Sequence, residues 1–224
     1  MRVRDFQIWN SPWPSLKETR AITTPRCLAT GETVRQWLRS RRPRIEAPFV
    51  KLLVELYESS GPASDREGSV IECLGICTAT VVEPFEGILG DEHEAHKVLV
   101  EAVLRALGHV KREMQWDSPE LQAFVESLRG KSPPLEHCFD KLTKTDRQSK
   151  RRFETWLLIS AHETRVEVRV MESNGTKAAR HAVFRRAGPQ YIEDVFGARS
   201  AIIQNGNYVL RDRDKQELAR VPVS

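Results

Sequence analysis

Apolar residues recur along this chain with two periods, and the change between them divides it. From residue 91 to 114, Ala95, Val98, Leu99, Ala102, Val103, Ala106, Leu107, Val110 and Met114 keep the 3.6-residue spacing of a helix with one buried face. Asp91 stands at its N-cap position with Glu94 three residues on, a variant of the reciprocal capping pattern. A second helix is predicted to open at Ser118-Pro119-Glu120, bury Leu121, Phe124, Val125 and Leu128, and stop at Gly130. Beyond residue 152 the period becomes two. Trp156 to Ser160 reads as one strand, and Val166, Val168 and Val170 alternate with Arg165, Glu167 and Arg169 in another, so one face is buried and the other charged. Their short connection predicts an antiparallel pair. Residues 70–82, β-branched and nearly uncharged between turn residues, predict one or two buried strands at the centre of a sheet.

The remaining segments complete the pattern. Residues 49–57 read as an apolar helix closed by Ser59-Ser60-Gly61-Pro62, and Thr30 or Thr33 as the cap of a short helix through Leu38, bounded by Pro43. The first thirty residues read as an extended arm, because Ser11-Pro12-Trp13-Pro14 cannot propagate a helix. Trp9 and Trp13 either pin that arm to the core or are offered to a partner. Residues 131–152 read as a long polar, basic loop. Residues 176–187 and 189–196 each read as a helix ended by glycine, Gly188 and Gly197. Asn205-Gly206 joins Ala201-Ile202-Ile203 to Tyr208-Val209-Leu210 as a two-residue hairpin, and residues 214–224 read as a frayed, charged tail. Together these predict an α+β fold, an antiparallel sheet packed against several helices, in a single domain over residues 31–213.

Composition supports a folded chain. The 224 residues are 40% hydrophobic with five Trp and eight Phe, enough to bury a core without metals or disulfides. Cys27, Cys73, Cys77 and Cys138 have neither zinc nor redox spacing and read as reduced thiols of a cytoplasmic protein. No apolar segment follows Met1-Arg2-Val3-Arg4-Asp5-Phe6, and nowhere do eighteen apolar residues run together, which argues against secretion and membrane spanning.

Charge is sorted by region, and this changes the picture. Residues 20–51 hold eight Lys/Arg against two acids, residues 52–140 seven against seventeen, and residues 141–152 six against one. The whole chain shows only a net +4. Such fields steer polyanions or complementary protein surfaces. The best functional candidate is Arg35-Gln36-Trp37-Leu38-Arg39-Ser40-Arg41-Arg42-Pro43-Arg44. Arg35, Arg39, Arg41, Arg42 and Arg44 present planar donors to phosphate, and Trp37 either stacks on a base or lies at a lipid interface. The plainer reading is a solvated helix face with Trp37 and Leu38 turned inward. Arg147, Lys150, Arg151 and Arg152 offer a second anion-binding segment, whose plainer reading is a flexible loop. Neither segment contains a sequence-reading motif, so contact would be to backbone charge.

Motifs for catalysis are missing. Asp91, His93, Glu94 and His96 resemble a metal cluster only superficially, since the zincin arrangement needs histidines four apart on one face. Gly87-Ile88-Leu89-Gly90 is followed by acids that would repel phosphate, and Cys138 beside His137 lacks an orienting third group. No cofactor or metal is expected.

From Phe49 onward the order of elements resembles rhabdovirus matrix proteins. The resemblance lies in Phe49-Val50-Lys51-Leu52-Leu53-Val54-Glu55-Leu56-Tyr57 leading through a polar turn into the strand from Val70 to Thr80. It continues in the paired strands, the Ala-rich helix, Tyr191-Ile192-Glu193-Asp194-Val195 and the closing hairpin of the last sixty residues. A Lys-rich tail and a proline-based budding motif have no counterpart beyond Arg2, Arg4 and Ser11-Pro12-Trp13-Pro14. The resemblance implies a non-enzymatic structural protein that contacts a ribonucleoprotein or RNA, and an anionic membrane surface from the cytoplasmic side. Self-association would follow from docking the acids Glu55, Glu58, Glu83 and Glu86 on a neighbour's basic stretch. Two alternatives stand beside it: an RNA-binding accessory protein that forms no lattice, and an enzyme of unrecognised type with His93, His96 or His162 in a cleft.

Overall fold

A computed structural model of the chain describes residues 1–10, 17–61, 64–192 and 196–223. The fold is α+β and divides into two compact units, Met1–Leu135 and Glu136–Ser224, where the pattern predicts one domain. Among the described residues, no helix is long and apolar enough to cross a membrane.

The first unit is a four-stranded sheet in the order β1-β2-β4-β3, built from β1 (Asp5–Asn10), β2 (Lys51–Glu58), β3 (Val70–Cys73) and β4 (Ile76–Glu83). β1 pairs in parallel with β2, and β2 in parallel with β4. A parallel pair needs a crossover, and α1 (Lys17–Ser40) supplies it. The segment expected as an extended arm is therefore a strand and most of a helix, while Ser11, Pro12, Trp13 and Pro14 lie outside the described residues. Thr30 and Thr33 sit inside α1 instead of capping it; Thr33 Oγ1 donates to the Ala29 carbonyl at 3.0 Å. Gly31 lets α1 lie against β1, because a Cβ there would come within 3.2 Å of the Ile8 nitrogen.

Residues 49–57, expected as a helix, contribute β2. Leu52, Val54 and Leu56 alternate inward, and β2 lies between two parallel neighbours, where a short apolar run is satisfied as a strand. Residues 70–82 form two strands, the antiparallel β3–β4 pair; β4 is largely buried beside β2, but β3, expected to be buried at the centre of a sheet, is the exposed edge strand. α2 (Phe85–Leu89), α3 (Glu92–Met114) and α4 (Pro119–Ser127) follow. Asp91 caps α3 by accepting from the backbone N–H of His93 at 2.8 Å and of Glu94 at 3.0 Å, and Ser118 caps α4. Leu99, Val103 and Val110 of α3 meet Phe6, Leu52, Val54 and Val81 of the sheet, with Val34 and Leu38 of α1, in one core.

The second unit pairs two sheets. One has the order β5-β7-β8-β9, with β6 (Lys144–Thr145) also on β7; its strands are β5 (Leu135–Cys138), β7 (Arg152–Ile159), β8 (Glu163–Met171) and β9 (Lys177–Ala187). The other is β10 (Ser200–Gln204), β11 (Asn207–Arg211) and β12 (Glu217–Pro222). Phe153, Leu157, Val166, Val168 and Val170 meet Tyr208, Leu210 and Val221 between them. The buried Tyr208 hydroxyl donates to the Leu142 carbonyl at 2.6 Å and lies 2.7 Å from Thr155 Oγ1, so its polarity is satisfied. Asn205 and Gly206 form the expected hairpin turn at φ 50° and 68°.

Three expectations change here. Residues 131–152 hold β5 and β6 and are no continuous loop. Residues 176–187, expected as a helix, contribute β9 from Lys177: an Asx turn, in which Asn174 Oδ1 accepts from Thr176 N at 2.9 Å, returns the chain antiparallel to β8, and ladder pairing overrides alanine's helical preference. The tail is β12, held by β11. The helix expected over residues 189–196 falls partly on residues outside those described. The charged face of β8 also departs from expectation, because Glu167 and Arg169 are buried. Arg169 donates to Glu167 at 2.5 Å and to both Glu136 oxygens at 2.6 and 3.0 Å, and its guanidinium lies 4.2 Å from the Trp156 ring centroid. Trp156 in turn donates to Glu154 at 2.8 Å. Pairing of this quality is what permits charge to be buried.

Candidate anion-binding site

The N-terminal residues run beside the segment that leaves α1. Val3 N donates to the Ile45 carbonyl and Ala47 N to the Met1 carbonyl, each at 3.0 Å, around an isolated antiparallel backbone bridge between Arg2 and Glu46. This short antiparallel contact precedes the parallel β1–β2 ladder, and it brings Arg2 and Arg4 near Arg42 and Arg44 across some forty residues of sequence. Pro43 ends the helical stretch, and Arg42 Nη1 donates to the Arg39 and Arg41 carbonyls at 3.2 and 2.6 Å. Arg39 Nε donates to the Arg4 carbonyl at 3.3 Å.

Between these segments lies an open groove of about 820 Å³ lined by Met1, Arg2, Arg4, Glu46, Ala47, Pro48 and Val50. Arg2, Arg4, Arg42 and Arg44 form no ion pair among the described residues, and Glu46 is the one carboxylate on the groove wall. The pKa of Arg44 is lowered by partial burial and then by the charges of Arg42, Arg4 and Arg2. Planar guanidinium forks of this kind suit phosphate oxygens.

The structure divides the predicted basic stretch in two. Arg35 is committed within the fold: it donates to Asp5 at 2.7 Å and to the buried Glu32 at 3.0 Å. Burial opposes its charge, yet Glu32 and Asp5 hold its pKa up. Trp37 stacks on Phe124 with centroids 4.5 Å apart and planes at 8°, and Arg41 lies over the same ring while reaching Glu120 at 2.5 Å. Arg39, Arg42 and Arg44 flank the groove without lining it. Arg2 and Arg4 stand on its wall, and sequence reasoning missed their part because nothing local links position 2 to position 44.

In the second unit, Asp146 accepts from Ser149 N and Oγ at 2.7 Å each, building a turn that exposes Arg147 and Lys150. Arg151 is taken by Glu172 at 3.1 Å and the Val223 carbonyl, and Arg152 by Glu154 at 2.6 Å. Two of the four, Arg151 and Arg152, are thus ion-paired, although Arg152 remains exposed.

The other candidates are dispersed. Glu83 pairs with Arg105 at 2.6 Å, and its pKa is raised because desolvation outweighs that pairing. Glu55 and Glu58 are half-buried on β2, and Glu86 is exposed on α2. His93 lies 3.0 Å from Ser132 Oγ. His96 is buried, its Nε2–H donating to the Leu128 carbonyl at 3.0 Å while the Thr30 hydroxyl donates to Nδ1 at 3.1 Å; burial lowers its pKa. The His162 carbonyl accepts from Gly188 N at 2.7 Å. Burial, and then Glu154, push the Cys138 thiol up to about 11, so it stays protonated near neutral pH, while neighbouring His137 packs edge-on to Phe139. Among the described residues no group of three His, Cys, Asp or Glu is arranged to hold a metal ion.

No protein-family model, curated protein or solved structure matches this chain.

Proposed function

We propose that this is a non-enzymatic polyanion-binding protein whose first unit grips the phosphate backbone of RNA in the groove between residues 1–4 and 42–50. One observation carries the reading: Arg2 and Arg4 on the groove wall and Arg42 and Arg44 beside it converge from distant positions and form no ion pair among the described residues, and burial, followed by the charges of the other three, lowers the pKa of Arg44. A free, like-charged cluster is stabilised when a polyanion supplies the missing charge and releases its counterions. Contact to backbone charge makes binding sequence-tolerant and steeply salt-dependent. Matrix-like assembly is an extension of the same reading, with Glu55, Glu58 and Glu86 as docking acids and Glu83 engaged by Arg105.

The test is binding of the full chain to a twenty-nucleotide single-stranded RNA, a duplex RNA and anionic liposomes across a salt series. It is repeated with Arg2, Arg4, Arg42 and Arg44 changed to Ala. Each lost single-strand phosphate contact lowers the log–log salt slope by about 0.7, so the fourfold variant should be shallower by about 3. Binding that is absent, or that survives in the variant with an unchanged slope, defeats the proposal. Pelleting with liposomes but no RNA binding would move the groove to a membrane surface.

A further inference from the structure

β9 is the edge of its sheet: β8 pairs with it on one side, and among the described residues no strand pairs with it on the other. At eleven residues it is long for an edge, and it contains Lys177, Arg180, His181, Arg185 and Arg186 without a single acid. Register sorts these side chains. Across two register shifts, Arg185, Arg180 and Lys177 stand opposite Arg165, Arg169 and Met171 on the face that carries the Arg169 network, with Ala182 between Arg180 and Arg185 and Ala187 beyond Arg185. Phe184 and Ala179 turn to the core side. Arg180 and Arg185 are exposed, reaching Glu167 at 3.9 Å and Glu163 at 2.9 Å.

We infer that β9 is a docking edge for an extended acidic peptide, which adds a further strand to this sheet and places carboxylates at alternate positions opposite Lys177, Arg180 and Arg185. An open edge offers backbone donors and acceptors that only another strand can match, and the alternating side chains decide which strand is admitted. Alanines between the cations leave that backbone reachable. A second β9 is excluded because its cations would face these. RNA can answer the charge but not the ladder of amides. This inference concerns the second unit and stands apart from the groove of the first.

The probe is a fluorescein-labelled, end-capped decapeptide of alternating Glu and Val, titrated against the full chain by anisotropy. Three further peptides accompany it: one with Gln for Glu, and two N-methylated at the odd or the even residues. The Glu peptide should bind at least about tenfold more tightly than the Gln peptide, and one of the two N-methylated forms should lose about as much. Arg180→Glu/Arg185→Glu should abolish binding of the Glu peptide. Arg180→Gln/Arg185→Gln, which keeps the side-chain shape, should weaken it by at least about tenfold if the reversal unfolds the sheet. Equal binding of the Glu and Gln peptides overturns the inference, as do two N-methylated peptides that bind like the parent. A ten-nucleotide RNA that competes fully for the same arginines would reassign the edge to nucleic acid.

Discussion

Around Arg44 the first unit gathers Arg2, Arg4 and Arg42 without an ion pair among the described residues, whereas around Arg169 the second unit alternates each guanidinium with a glutamate. The two arrangements use one residue type for opposite ends. In the second unit Arg169 is buried, its pKa raised by Glu136 and Glu167 against the desolvation that would lower it. At Arg169 itself the donors are answered by Glu136 and Glu167, which leaves that buried guanidinium little to offer an incoming anion, whereas Arg180 and Arg185 on the neighbouring edge strand stay exposed. In the first unit the groove is open and Arg2 and Arg4 on its wall form no ion pair among the described residues, which makes it a poor contributor to stability and, on the proposed reading, a receptor for phosphate. Pairing, not the count of arginines, distinguishes the two clusters.

Arg169→Ala should break the comparison most severely if it is right. It would leave Glu136 and the buried Glu167 without their main partner, a loss of roughly 3 kcal/mol or more in stability. Denaturant unfolding followed by far-UV circular dichroism checks this, and a loss below about 1 kcal/mol would show the network to be incidental. The fourfold change of Arg2, Arg4, Arg42 and Arg44 to Ala should do the reverse. RNA affinity should fall about a hundredfold at low salt, while stability should stay within about 0.5 kcal/mol per site or rise as repulsion is relieved.

The buried His96 sharpens the contrast by showing how the first unit's core treats a titratable group. Its folded pKa is lowered by burial, so the unfolded chain takes up the proton first, near pH 6.5. The stabilisation is therefore complete above that pH. It is lost as pH falls below about 6.5, by up to about 1.4 kcal/mol per pH unit until the folded pKa is passed. Unfolding titrations between pH 5 and 8 should show this slope in the wild type and its absence in His96→Gln. The smallest effect belongs to Arg41→Ala. Its half-exposed pair with Glu120 is worth about 0–1 kcal/mol, and RNA binding should change far less than with Arg44→Ala, although only Arg42 and Pro43 lie between them.

Much of the fold was legible where one local signal sufficed. Asp91 with α3, Ser118 with α4, and Asn205-Gly206 each carry a cap or turn whose chemistry acts within a few residues. The errors fall where neighbours decide. Residues 49–57 and 176–187 have patterns that either helix or strand can use, and the parallel partners of β2 and the hairpin to β8 settled both. The site was half legible for the same reason. The basic stretch at residues 35–44 stands out in the sequence, but whether Arg35 meets Glu32 and Asp5 or a ligand depends on how the strand β1 returns past the helix.

Sequence alone determined the α+β class, the caps, the terminal hairpin and the sorting of charge, because local propensity, hydrophobic period and composition act along the chain. Tertiary structure alone decided the division into two units, the parallel pairing behind α1, and the strand identity of β2, β9 and β12. It also decided which arginines are answered by carboxylates. That last choice turns on distances of a few ångströms between residues far apart in sequence, over which Coulomb attraction and desolvation change steeply, and no period or composition encodes them.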